Sequence, residues 1–80
     1  YRLMDNKVEA LEFAVREKSK VVGVPLQKLS LRKNLLVCAI IRKKQVITPG
    51  GQDEIQVGDN VIVVTTIKGL NDIRDILDKR

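Results

Sequence analysis

Two stretches of this chain, Leu35-Leu36-Val37-Cys38-Ala39-Ile40-Ile41 and Val61-Ile62-Val63-Val64, are apolar at odd and even positions alike. A β-strand sends successive side chains to opposite faces, so a sheet with one face in water alternates apolar and polar residues. These two runs predict strands whose sheet is covered on both faces. Eighty residues supply little material for two covers. The second face therefore calls for a second copy, a parent domain, a ligand, or a combination of these.

The rest of the pattern gives the order of elements. Residues 8–15 alternate, with Leu11, Phe13 and Val15 on one parity and Glu12, Ala14 and Arg16 on the other, which predicts a first strand. Gly23 and Pro25 break any long regular element over residues 21–31. Proline fits the first turn of a helix, so a short helix is expected over residues 25–29, with Leu26 and Leu29 inward. Leu35–Arg42 is the strongest strand, its Val37, Ile40 and Ile41 favouring strand over helix. Val46-Ile47-Thr48 pairs with it in a hairpin around Lys43-Lys44. Residues 52–57 read as a loop with Ile55 and Val57 tucked in, and residues 60–66 as the last strand. After Gly69, Leu70, Ile73, Ile76 and Leu77 recur at helical spacing, with Asp72 early and Lys79-Arg80 late to match the helix dipole. The predicted fold is α+β: a two-layer sandwich of a four-stranded, mainly antiparallel sheet with two short helices on one face, in the order β-α-β-β-β-α.

Composition narrows the function classes. A chain this short buries only roughly 60% of its surface on folding, and it has one cysteine and no histidine. An intrachain disulfide is excluded and an ordinary zinc site is not expected, which leaves association as the source of extra stability. No apolar run approaches the about 20 residues that span a bilayer, so no membrane insertion is expected. The net charge of +5 is spread over Lys18, Lys20, Arg32, Lys33, Arg42, Lys43, Lys44, Lys79 and Arg80 among others. With Tyr1 and Phe13 as the only aromatics and no basic recognition helix, direct nucleic-acid binding is not expected. A small anionic ligand is a better use for one or two of these cations. No nucleophile–base pair or metal constellation is visible, so no enzyme and no metal site are expected. Cys38 reads as a small buried residue inside the apolar run, and Asp59 as a turn aspartate bonding nearby backbone N–H groups. Arg42, read alone, is a solvent-exposed strand end. The chain opens on Tyr1, so residues 1–7 read as a linker from a missing upstream domain, and residues 8–80 as the domain itself.

The ordered set Leu35-Leu36-Val37-Cys38-Ala39-Ile40-Ile41-Arg42, Val46-Ile47-Thr48-Pro49 and Gly58-Asp59-Asn60-Val61-Ile62-Val63-Val64 resembles the TrkA C-terminal domain. That domain is the second half of the RCK (regulator of potassium conductance) module. Val22-Gly23-Val24-Pro25-Leu26-Gln27-Lys28-Leu29 looks like the same family's small-residue turn and short helix. The family often has glycine where this chain has Lys44, and a lysine held at φ > 0 costs on the order of 1 kcal/mol. A wider turn is therefore expected at Lys43-Lys44.

The resemblance implies a cytoplasmic regulatory, ligand-sensing and dimerisation domain of a prokaryotic potassium (cation) transport or channel protein. Through the parent protein it would reach a membrane-embedded transporter or channel subunit. No Gly-x-Gly-x-x-Gly element is present, so any NAD or ATP site belongs to the missing upstream domain. The resemblance also implies a homodimer with cyclic di-adenosine monophosphate (cyclic di-AMP) between the copies. Arg42 would pair with a phosphate, and Val46, Ile47 and Thr48 would line the wall that contacts the bases; read from the residues alone, Val46 and Ile47 are core and dimer contacts instead. Val37, Cys38, Ile41 and Val63 would form the dimer seam. Two alternatives stay open: a ligand-free structural dimerisation module, and the same domain fused to a transcription regulator or an antiporter.

Overall fold

The computed structural model describes residues 8–78; the expected linker and the terminal Lys79-Arg80 lie outside that range. Strands β1 (Glu9–Ala14), β2 (Leu35–Arg42), β3 (Gln45–Ile47) and β4 (Asn60–Thr65) form one antiparallel sheet in the order β1-β4-β2-β3. The two runs that are apolar at both parities, β2 and β4, lie side by side at its centre. The alternating β1 and the three-residue β3 are the edges.

The sheet is covered on one face. Leu11 and Phe13 of β1, Val61 and Val63 of β4, Val37 and Ile40 of β2, and Ile47 of β3 turn toward Val15, Val21, Ile55, Leu70, Ile73 and Ile76 to form the core. Thr65, also buried, donates its hydroxyl to the Asn34 carbonyl at 2.7 Å and accepts the Ile67 N–H at 3.0 Å, so this hydroxyl is not stranded.

The covering layer differs from the two helices expected. Pro25 caps one 3-10 turn, Leu26–Lys28, and the terminal element is a four-residue 3-10 helix, Ile73–Ile76. The spacing of Leu70, Ile73 and Ile76 explains the second case. They recur every three residues, which is the period of a 3-10 helix rather than the 3.6 of an α-helix. A capping box of Asp72 and Asp75 closes its start, and at Leu77 the chain turns extended to bridge Leu31. The remainder of the roof is extended chain held by backbone hydrogen bonds. Gly23, Leu26 and Gln27 donate to the carbonyls of Ile55, Asp53 and Gly51 at 2.8–2.9 Å, and Arg32 donates to Ile76 at 2.9 Å. Leu26 packs on the core as expected and Leu29 is half-buried, but Val57 is 48% exposed rather than tucked in.

One irregularity in β2 decides which side chains look inward. Its register against β4 shifts between Val37 and Ala39, so that Cys38 and Ala39 together oppose Ile62. This is a β-bulge. Without it, strict alternation would turn Ala39 into the core where Ile40 sits, completely buried, and would leave a cavity of the kind that costs about 2–5 kcal/mol. The extra residue, Cys38, is exposed rather than buried. Beyond the bulge the inward parity changes from odd to even, so Arg42 points toward the roof. Part of the two-faced look of the Leu35–Ile41 run is this switch of parity.

The turn at Lys43-Lys44 is also tighter than expected. Arg42 pairs directly with Gln45, which leaves a two-residue loop with Lys43 at φ 51° and Lys44 at φ 69°. Two residues in the left-handed region form the hairpin turn that matches strand twist, and Asn-Gly is its preferred sequence. Each lysine is strained there by about 1 kcal/mol. Replacing the pair, Lys43→Asn with Lys44→Gly, is expected to raise the melting temperature by at least about 4 °C; no rise in a thermal melt would show that the turn carries no such strain.

Candidate functional site

The inward turn of Arg42 builds a densely bonded polar group around a buried aspartate. Asp59 is 1% exposed. Arg42 Nε donates to its Oδ1 and Arg42 Nη2 to its Oδ2, both at 2.8 Å, a bidentate pairing. The Gln56 N–H donates to Oδ2 at 2.8 Å, as a turn aspartate should receive it, with Gly58 at φ 99° making that turn. Arg42 Nη2 also donates to the Glu54 carbonyl at 2.9 Å, and the Asp59 carbonyl accepts the Val15 N–H at 2.8 Å. The group thus ties β2, the end of β1, the start of β4 and the 54–59 turn together.

Its electrostatics have a defined sign. The hydrogen bond from Arg42, more than any other influence, holds the Asp59 carboxyl below its ordinary value of 3.8; burial opposes this, and the Gln56 N–H and the Arg42 charge add to it. Because the folded value lies below the unfolded one, the pair stabilises the fold fully above about pH 4 and loses that contribution as pH falls through the folded value. Arg42→Ala strands a buried carboxylate and is expected to cost about 2–3 kcal/mol at neutral pH. Urea unfolding from neutral to acid pH checks both statements: the wild-type chain should lose stability below about pH 4, and the Arg42→Ala chain should lose less over the same range.

The opposite face of the sheet has no cover among the described residues. Cross-strand neighbours share a face, and the register places Leu36 beside Val64, Val64 beside Ala10, Ala39 beside Ile62, and Ile41 beside Val46. Leu36 is 63% and Val46 71% exposed, while Ala39, Ile41, Ile62 and Val64 are half-buried. The polar end of this face is on the β1 side, where the Asn60 side-chain amide donates to Glu12 at 2.8 Å. The apolar part therefore runs across β4, β2 and β3, with the exposed Cys38 in its middle.

The structure sorts the residues singled out from the sequence. Val46 and Ile41 lie on the open face, and Thr48 is exposed just past β3. Ile47 pairs with Ile40 and packs against the core instead, and Arg42 is occupied by Asp59 and Glu54 rather than free as a phosphate clamp. Val37 and Val63 are core residues, 8% and 0% exposed, so neither belongs to an open seam. Cys38 does reach the open face, through the bulge. Leu36, Ile62 and Val64 were missed. The signal for the last two was Glu12, which must face water and carries its cross-strand partner Ile62 to the same side.

Residues 10–78 match the TrkA-C domain model. Among similar relatives, Trk system potassium uptake protein trkA homolog 1 of Methanosarcina mazei is 33% identical over 76 residues, 95% of this chain and 19% of the relative. Trk system potassium uptake protein TrkA homolog of Pyrococcus abyssi is 30% identical over 73 residues, 90% of this chain and 32% of the relative. A solved RCK domain with cda superimposes with a TM-score of 0.62 at 25% identity, over 74% of this chain and 81% of that one. The chain spans between a fifth and a third of the length of these curated relatives.

Proposed function

The chain belongs to the TrkA-C domain family, and on that premise we propose that it is the regulatory, ligand-sensing dimerisation domain of a potassium-transport protein, acting on the cytoplasmic side of the membrane. The observation that carries this reading is the open sheet face, where Leu36 and Val46 stand 63% and 71% exposed beside Ile41, Ile62 and Val64. A contiguous apolar face of this kind on a small domain marks an interaction surface. A second copy applied about a twofold axis covers it with the same residues. The work done is binding and coupling rather than catalysis. A ligand held between the copies favours one relative arrangement, and the parent protein reads that arrangement; the shift is limited to the ligand's difference in affinity for the two.

Cyclic di-AMP is the ligand to try first, with Val46 and Thr48 as its contacts on this chain. The likeness to an RCK domain with cda supports a ligand of this class for this chain. The engagement of Arg42 by Asp59 favours the competing reading, a dimerisation module without a ligand, because it occupies the one guanidinium assigned to the phosphate. Two measurements separate the parts. Leu36→Asp is expected to raise the dimer dissociation constant about 30-fold or more in sedimentation equilibrium with the melting temperature of the monomer retained. A chain that is monomeric before substitution removes the dimer. Calorimetric titration with cyclic di-AMP is expected to give heat that Val46→Asp abolishes; a flat titration of a dimeric chain leaves the structural module.

A further inference from the structure

Strand β1 is an edge of the sheet, paired with β4 alone. Val15 donates its N–H to the Asp59 carbonyl and accepts the Gly58 N–H, each at 2.8 Å, so both of its backbone groups face β4. Backbone groups alternate sides along a strand. Ala10, Glu12 and Ala14 therefore present their N–H and C=O groups to the open edge. A trough of about 460 Å³ lies beside this strand, lined by residues 12–14, 16, 17 and 19 and by residues 71–74 of the roof. Exposed edges in small sheets are templates for another strand unless something blunts them, and here the charges decide what fits.

We infer that the β1 edge pairs antiparallel with the β1 edge of a second copy, with Ala14 opposite Ala14 on the twofold axis. The registers that this strand allows differ in what they bring opposite Glu12; those centred on Ala10 or Leu11 set it against an apolar residue. With Glu12 opposite Glu12, like charges meet. With Phe13 opposite Phe13, Glu12 meets alanine and gains nothing. With Ala14 opposite Ala14, each Glu12 stands opposite Arg16 of the partner copy, and this happens twice. Glu12 and Arg16 share the parity of the open face and both are exposed. Arg16 has no ion pair among the described residues, and Glu12 accepts only from Asn60. In this register Glu12 and Ala14 carry the hydrogen-bonding backbone groups on the pairing side, as the parity requires. The contact is separate from the open face, so a chain that uses both grows beyond a dimer.

Amide hydrogen exchange on the 80-residue chain at millimolar concentration tests the pairing directly. The Glu12 and Ala14 amides, which face the open edge and have no acceptor among the described residues, are expected to be protected, and dilution should release them. Glu12→Arg should speed their exchange at least tenfold, and Glu12→Arg combined with Arg16→Glu should restore protection. Protection should survive Leu36→Asp, which separates the edge from the open face and from the dimer proposed there. Fast exchange of both amides in the concentrated wild-type chain, or protection indifferent to Glu12→Arg, overturns the edge pairing and leaves the open-face dimer untouched.

Discussion

A single extra residue in the central strand sets the orientation of everything around it. Cys38 bulges out of β2, so that Val37 and Ile40, three positions apart, both face the core. The alternative register would bury Ala39 in place of Ile40, and the packing loss of that exchange outweighs the one unpaired position a bulge costs. From the bulge onward the parity is reversed. Arg42 is thereby directed at Asp59 rather than at the open face, and Ile41 is directed at the open face rather than at the core.

The roof illustrates the limit that size imposes. Residues 19–32, 49–58 and 67–78 lie across one face as extended chain and single 3-10 turns, stitched by backbone hydrogen bonds instead of helices. Three thin segments suffice for one face because Arg42 and Asp59 anchor the turn at 54–59 to the sheet. Nothing among the described residues remains for the other face, and its apolar residues sit on the same two central strands that make the core. The core and the open apolar patch are therefore carried by opposite faces of β2 and β4. In the proposed reading, a partner on the open face would contact strands that also hold the core, which gives binding there a physical route to the rest of the domain.

Much of this was legible in the sequence. Leu35–Arg42 has the bounds expected of it, the last strand differs by one residue, and the doubly apolar runs do mark the central strands. Asp59 was readable as a turn residue from its place after glycine. The bulge was not legible, because Val37, Ile40 and Ile41 satisfy either register until Ala39 is weighed against a partner strand. It decides three placements at the site: Arg42 is engaged by Asp59 rather than free for a phosphate, Cys38 reaches the open face rather than the interior, and Val37 faces the core rather than the seam. Val63 fails for a simpler reason, since β4 is apolar at both parities and only its pairing with Leu11 identifies the inward one. The length of the terminal helix is not legible because spacings of three suit both helix types, and the tight Lys43-Lys44 turn is not legible because its strain argues against it.

The central claim is that the open face is covered by a second copy. Small-angle X-ray scattering of the chain tests it without any substitution. A paired chain gives forward scattering for at least twice the 9.0 kDa of one chain, and a radius of gyration well above the 12.2 Å of the single fold. A mass of one chain and a radius near that value at millimolar concentration would contradict it.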